Sequence, residues 1–169
     1  FWGGSNYGSC FTYFALASTI QDLGFTVLLI REPYTNPCKI PINFMNKYFN
    51  ISKHYKLEQL HELNNMCSTF VLGSDQVFVH SNIKGHEMQY LLLFADDSKK
   101  KIAISSSFGF NKILFPENQR EVFNFSLSRF DSISVREFDG VELCASIGIK
   151  ASFLIDPVFL CEKNKYELL

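Results

Sequence analysis

The sequence predicts an α/β domain in which a parallel, Rossmann-like sheet is covered by helices on both faces. Short, continuously apolar segments alternate along the chain with longer segments of helical character, which is the pattern of parallel strands buried on both sides. The chain has 169 residues, of which 47% are hydrophobic and 20% charged, as expected for one globular domain. We assign residues 1–160 to this domain, with a truncated first strand, and residues 161–169 to the start of a linker or helix leading to a further domain.

In chain order the sequence predicts a helix over residues 9–23, a strand over 25–30, a weak helix over 57–66, a strand over 69–72, a strand over 102–106, a helix over 116–128, a strand over 132–135, a helix that ends near 147 and a strand over 151–155. Gly24 and Gly148 suit the left-handed position after a helix, and Pro116 suits a first helical turn. Residues 33–55 contain three prolines and several asparagines, which predicts an irregular, partly helical excursion. The three lysines at 99–101 predict a solvated loop.

Composition and spacing argue against several classes of function. The formal net charge is −1, so the chain lacks the basic excess that non-specific nucleic-acid binding needs. The five cysteines include no Cys-x-x-Cys pair, which predicts reduced thiols rather than a zinc knuckle or a disulfide framework. The four histidines have no metal-ligand spacing, so we predict no metal site. No apolar run approaches the roughly 20 residues that span a bilayer, and we expect a cytoplasmic protein.

Polar side chains cluster where the predicted strands end. The clusters are Ser74-Asp75-Gln76, Ser106-Ser107, Arg136-Glu137 and Asp156. Because ligands of open parallel sheets bind outside the carboxyl ends of the strands, we expect these clusters to line one cleft.

Arg136 is the most suggestive candidate for ligand binding. It follows a strand and begins a helix, where a guanidinium, the helix dipole and backbone N–H groups all favour a phosphate or a carboxylate. The alternative is a structural salt bridge to Glu137 or to Asp131. Asp75 also has two interpretations, as an acceptor of a proton from a sugar hydroxyl and as a turn residue that caps backbone N–H groups. Asn6 is a candidate for substrate contact or for capping the following helix.

In this order and spacing, the clusters resemble motifs of the polysaccharide pyruvyltransferase family. The motifs are Asn6-Tyr7-Gly8, Gly73-Ser74-Asp75-Gln76-Val77-Phe78, Ile104-Ser105-Ser106-Ser107-Phe108-Gly109, Ser134-Val135-Arg136-Glu137 and Asp156-Pro157. Phe78 stands where the family usually has an aromatic residue, often Trp. Ser105 and Ser106 stand where the family often has Tyr-Ala. The resemblance covers most of the chain.

The resemblance implies the amino-terminal half of a GT-B-like enzyme, with an active site between two Rossmann-like domains. It implies a bacterial transferase of exopolysaccharide biosynthesis that uses phosphoenolpyruvate as co-substrate and no cofactor. Two hydroxyls of one sugar would add to the enol carbon, the methylene carbon would gain a proton, and phosphate would leave, giving a pyruvate ketal. The acceptor would be a sugar or a lipid-linked oligosaccharide, which is compatible with peripheral association at the inner face of the membrane.

The resemblance also implies roles for individual positions. The predicted catalytic residues are Arg136 and Asp75, the predicted donor-binding residues are Arg136 and Ser107, and the predicted acceptor-binding residues are Asn6, Gly8, Asp75 and Gln76. The family's remaining donor-binding Arg and His lie in the second domain. We therefore expect residues 1–169 alone to turn over little or nothing.

Two other functions stay open on the sequence. One is a GT-B glycosyltransferase that uses a nucleotide-sugar, which shares the two-domain cleft. The other is a non-catalytic carbohydrate-binding domain of the same fold. Replacement of Arg136 by Ala discriminates the second, because an enzyme loses most of its activity when a charge clamp is removed.

Overall fold

The computed structural model describes residues 7–31, 39–112 and 115–167. In chain order its elements are α1 (Tyr7–Asp22), β1 (Leu28–Leu29), α2 (Lys39–Tyr48), β2 (Asn50–Ile51), a 3-10 helix (Leu57–Asn65), β3 (Thr69–Leu72), α3 (His80–Ile83), α4 (Glu87–Tyr90), β4 (Lys100–Ser106), α5 (Glu117–Ser128), β5 (Ser132–Val135), α6 (Phe138–Ser146), β6 (Ser152–Phe153), a second 3-10 helix (Pro157–Phe159) and α7 (Lys163–Glu167). The chain forms two compact units, one of residues 1–60 and 156–169 and the other of residues 61–155.

The first unit has an aromatic core around α1. Phe14 is buried there, and its ring lies 5.4–6.0 Å from four other aromatic rings, those of Phe44, Tyr48, Phe49 and Tyr166. The hydroxyl of Tyr166 donates to the carbonyl of Val158 at 2.9 Å, and Lys165 pairs with Asp22. The carboxyl-terminal segment thus packs on α1, while β1 and β2 form a parallel pair.

The second unit contains a parallel sheet with the strand order β3-β4-β5-β6. Its core includes the rings of Phe78 and Phe108, whose centroids are 5.3 Å apart, and Phe123, which stacks on Phe115 at 4.1 Å. Phe78 is only 1% exposed and Phe108 only 3%, so the aromatic residues of two sequence motifs are core residues that anchor the polar loops beside them. Burial of each such ring contributes about 1.5–3 kcal/mol. The prediction of an α/β fold with parallel strands and helices is confirmed.

Strand β4 carries a bulge. Its register with β5 shifts between Ala103 and Ser106, where two residues of β4 lie opposite Ser134. Ser105, in the bulge, is fully buried with a φ of +52°. The hydroxyl of Ser134 accepts from the Ser105 N–H at 3.0 Å and donates to the Ala103 carbonyl at 3.2 Å. A side chain therefore replaces the ladder bonds that the extra residue interrupts, and the bulge turns the strand just before Ser107.

Several local predictions can be compared with the structure. The strands over 69–72 and 132–135 are confirmed, as are the left-handed glycines, with φ of +88° at Gly24 and +75° at Gly148. The predicted strands over 25–30 and 151–155 shrink to two paired residues each, and the weak helix after residue 56 is a 3-10 helix. The truncated first strand predicted at the start of the chain falls outside the described residues.

The prediction of a solvated lysine loop at 99–101 is wrong. Lys100 and Lys101 belong to β4, and Lys101 is only 2% exposed. Its ammonium donates to the carbonyls of Asp96 at 2.7 Å and Lys99 at 3.1 Å, which compensates for the removal of the charge from water. Among the described residues, no helix combines the length and apolar character needed to cross a bilayer.

Candidate functional site

The loops that follow β3, β4 and β5 in the second unit are joined by backbone hydrogen bonds. Asp75 forms a parallel bridge with Ser106. The Ser107 N–H donates to the Asp75 carbonyl at 2.9 Å, and the Phe78 N–H donates to the Ser107 carbonyl at 3.0 Å. The Arg136 N–H donates to the Ser106 carbonyl at 3.1 Å. Three of the four predicted polar clusters therefore meet at the carboxyl ends of neighbouring strands, where parallel sheets bind ligands.

The Arg136 guanidinium lies at the centre of this surface. Its Nη1 donates to the hydroxyl of Ser74 at 3.2 Å, and its Nη2 lies 3.8 Å from Oδ1 of Asp75. Its Nε donates to Oε1 of Glu137 at 3.3 Å. The side chain keeps 29% of its area exposed, so the salt bridge to Glu137 coexists with an opening to solvent. Asp131, the other partner considered, instead accepts from the Lys101 N–H at 2.8 Å.

Glu137 connects Arg136 to Ser107. The Ser107 hydroxyl donates to Oε1 of Glu137 at 2.6 Å and accepts from the Gly109 N–H at 2.9 Å. Glu137 occupies the N-cap position of α6 but makes no side-chain capping bond, because its carboxylate turns towards the cluster. Its Oε2 is buried and receives no hydrogen bond from the residues the structure describes.

Ser74 and Glu137 belong to the predicted polar clusters, but the sequence predicts no individual catalytic or binding role for either residue. The structure places both in direct contact with Arg136. Ser107 is 1% exposed, so its hydroxyl orients Glu137, and direct contact between Ser107 and a donor stays a prediction.

Asp75 has a strained backbone. Its φ is +127°, a conformation that costs a non-glycine residue about 1–3 kcal/mol and that recurs at functional sites. Its Oδ1 accepts from the Gln76 N–H at 2.8 Å, as the turn interpretation requires, while 55% of the side chain stays exposed. The carboxylate can therefore both hold the turn and face a ligand.

Gln76 and Gly109 pack against each other across the loops after β3 and β4. The Gln76 carbonyl accepts from Nδ2 of Asn82 at 2.8 Å. Gly109 has a φ of +69°, and a Cβ there would lie 2.8 Å from Cγ2 of Val79 and 3.2 Å from Cδ of Gln76. A glycine is required for this approach.

The polar cluster belongs to the second unit, and the other predicted residues belong to the first. Asn6 lies outside the described residues, and Gly8 is exposed in the first turn of α1, in the first unit. Asp156, also in the first unit, caps the second 3-10 helix by accepting from the Val158 N–H at 3.1 Å. Acceptor binding by Asn6 and Gly8 stays a prediction.

The described residues contain no candidate metal site, but they form a groove. Across residues 7–31, 39–112 and 115–167, no group of three or more His, Cys, Asp or Glu is arranged to hold a metal ion. A groove of about 470 Å³ lies at the amino ends of β5 and β6, with Asp131 and Lys150 on its walls. Arg136 lies at the opposite, carboxyl ends of the strands.

Charged and hydroxyl groups at the carboxyl ends of parallel strands are the arrangement in which α/β proteins generally bind ligands. The polysaccharide pyruvyl transferase family matches residues 6–168. The chain belongs to this family, which confirms the resemblance carried by the five motifs and indicates a transferase. Comparison with curated proteins and with solved structures found no match.

Proposed function

We propose that this chain carries part of the active site of a pyruvyltransferase that moves pyruvate from phosphoenolpyruvate to a sugar during polysaccharide synthesis. Family membership supports the transferase class. The observation that carries the assignment to this surface is the convergence of Arg136 with Asp75 and Glu137 at the carboxyl ends of β3 and β5.

The proposed reaction needs both signs of charge. Phosphoenolpyruvate presents a phosphate and a carboxylate, which a guanidinium fork matches. Sugar hydroxyls donate hydrogen bonds, and carboxylates accept them. Two hydroxyls add to the enol carbon, the methylene carbon gains one of their protons, the second proton is released, and the bond to phosphate breaks. Asp75, with its exposed carboxylate, is proposed to accept a hydroxyl proton or orient the hydroxyl, with Gln76 beside it on the acceptor.

The charge balance limits what Arg136 does alone. One guanidinium lies between two carboxylates, Asp75 and Glu137, so these three groups are not a net positive site. We propose that Arg136 contacts the donor together with basic residues of a second, GT-B-like domain, as the resemblance implies. In this proposal Ser107 acts on the donor side by fixing Glu137, which in turn fixes Arg136.

The test is phosphoenolpyruvate-dependent release of phosphate by the full-length protein with a panel of sugar acceptors. Arg136→Ala should lower kcat/KM by about 100-fold or more, the usual effect of removing a preorganised charge. Arg129→Ala is the matched control, because Arg129 is also a salt-bridged arginine of the second unit, paired with Asp97 at 3.1 Å. It should keep near wild-type activity.

Three results would reject the proposal in different ways. Transfer from a nucleotide-sugar with no use of phosphoenolpyruvate would identify a glycosyltransferase. Sugar binding without any turnover would identify a carbohydrate-binding domain. Equal activity of the Arg136→Ala and Arg129→Ala variants would show that Arg136 is not part of the active site.

A further inference from the structure

Beside the polar cluster, two phenylalanine rings are stacked on the surface. Phe138 begins α6 directly after Glu137, and Phe153 lies in β6. Their ring centroids are 4.1 Å apart with an interplanar angle of 9°. Phe138 is 70% exposed and Phe153 is 39% exposed. Because Phe153 covers one face of the Phe138 ring, so large an exposure requires the opposite face to be open to solvent.

Phe153 fixes the position of this open ring face. Phe153 pairs in register with Val135, the buried residue that precedes Arg136. Parallel stacking of two aromatic rings is worth about 0.5–1.5 kcal/mol beyond area burial, which orients Phe138 even though it is exposed. The Phe138 ring therefore has a fixed orientation and does not rotate freely.

The Phe138 ring follows the polar cluster directly in the chain. Arg136 and Glu137 follow β5, Phe138 is the next residue, and Phe153 is on the neighbouring strand, about 5 Å away at the usual strand spacing. The charged residues and the aromatic pair therefore belong to the carboxyl ends of two neighbouring strands, β5 and β6.

This juxtaposition matches the chemistry of a pyranose ring. One face of a pyranose exposes C–H groups, which are attracted to the negative face of an aromatic ring, while the hydroxyls around its edge donate to carboxylates. Phosphoenolpyruvate is small and anionic and has no such face. The aromatic surface is therefore suited to the acceptor and not to the donor.

We propose that Phe138, backed by Phe153, is a stacking platform for a sugar ring of the acceptor. This inference rests on the proposed function of the adjacent cluster and adds the apolar half of its substrate contact. Asp75, whose carboxylate is exposed, accepts hydrogen bonds from hydroxyls of the sugar, and Phe138 contacts its C–H face.

The kinetic test compares Phe138→Leu with Phe138→Trp in the full-length enzyme. Leucine keeps an apolar side chain but removes the flat face, so the KM for the acceptor should rise about ten-fold, with the KM for phosphoenolpyruvate unchanged. Tryptophan should restore a low acceptor KM. Phe125→Leu is the control, since Phe125 is 66% exposed on α5 and should change neither constant. An acceptor KM that stays within two-fold of wild type in Phe138→Leu would overturn the platform.

A binding measurement separates this inference from the proposed reaction. Saturation-transfer NMR with methyl glycosides of glucose, galactose and mannose should show transfer to the C–H protons of at least one sugar. The signal should be lost in Phe138→Leu and kept in Phe125→Leu. If that pattern appears without any use of phosphoenolpyruvate, the platform stands and the pyruvyltransferase proposal fails. If phosphoenolpyruvate is consumed and neither acceptor KM nor NMR signal depends on Phe138, the platform fails and the reaction stands.

Discussion

Gly109→Ala is expected to destabilise the second unit by about 2–5 kcal/mol. Two terms contribute. The φ of +69° at Gly109 places an alanine in the left-handed region, at about 1–2 kcal/mol. The new Cβ would lie 2.8 Å from Cγ2 of Val79 and 3.2 Å from Cδ of Gln76. Gln76 is exposed and can move, but Val79 is 7% exposed, so relieving the contact should cost about 1–3 kcal/mol as in other overpacked sites.

Gly148→Ala isolates the first term. Gly148 has a φ of +75° with nothing within 4 Å of the position of a Cβ, so it should lose only about 1–2 kcal/mol. The free energy of unfolding is measured for both variants by urea denaturation followed by far-UV circular dichroism.

A double-mutant cycle with Val79→Ala tests the second term. Removing Cγ2 should make Gly109→Ala less destabilising in the Val79→Ala background than in wild type, with a coupling near the overpacking term. Equal losses for Gly109→Ala and Gly148→Ala, together with additivity in the cycle, would refute the reasoning and show that the loop can shift without penalty.

Three other expectations concern buried polar groups and a buried thiol. Lys101→Met leaves the Asp96 and Lys99 carbonyls without their donor and should lower the free energy of unfolding by about 1–3 kcal/mol; Lys100→Met, at an exposed position, should change it by less than about 0.5 kcal/mol in the same urea titration. Ser134→Ala removes the hydroxyl that bridges Ser105 and Ala103 and should lower the free energy of unfolding by about 1–3 kcal/mol. Ser126→Ala loses only a bond to Val122 in its own helix and should lower it by less. Equal losses would show that the Ser134 hydroxyl does not stabilise the bulge. Burial raises the pKa of the Cys144 thiol from 9.0 to about 11, so iodoacetamide at pH 8 should alkylate it only on unfolding, as mass spectrometry would show. Because the folded pKa is the higher one, the stability this thiol contributes is complete below pH 9 and is lost as the pH rises towards 11.

The sheet could be predicted from local sequence signals. Apolar continuity located β3 and β5 to the residue, and the glycines after α1 and α6 marked their ends correctly. The lysine run shows where a compositional argument fails. Three adjacent lysines suggest solvent, yet alternation along a strand makes Lys100 exposed and Lys101 buried. The position of each lysine in the strand, and not the local composition, determines whether its side chain is exposed or buried.

The site could be predicted only in part. Its members lie at strand ends, which the sequence reveals, but their contacts depend on the bulge in β4. The Ser107–Glu137 hydrogen bond joins residues 30 positions apart, and no local pattern encodes the turn that brings them together. The pairing of Arg136 with Glu137 was foreseen as an alternative to ligand binding. The structure shows both the pairing and 29% exposure of the arginine side chain.

The cluster is assembled by contacts that run outward from the core. The bulge in β4 directs Ser107, whose hydroxyl accepts from the Gly109 N–H and donates to Glu137. Glu137 in turn accepts from one side of the Arg136 guanidinium. Ser74, which is 1% exposed, holds the other side. Groups fixed in this way do not have to reorganise when charge develops on a substrate, which is how preorganised sites gain their effect. The position of the Arg136 guanidinium is therefore fixed by buried serines and a glycine. Small substitutions at these positions should displace the guanidinium most.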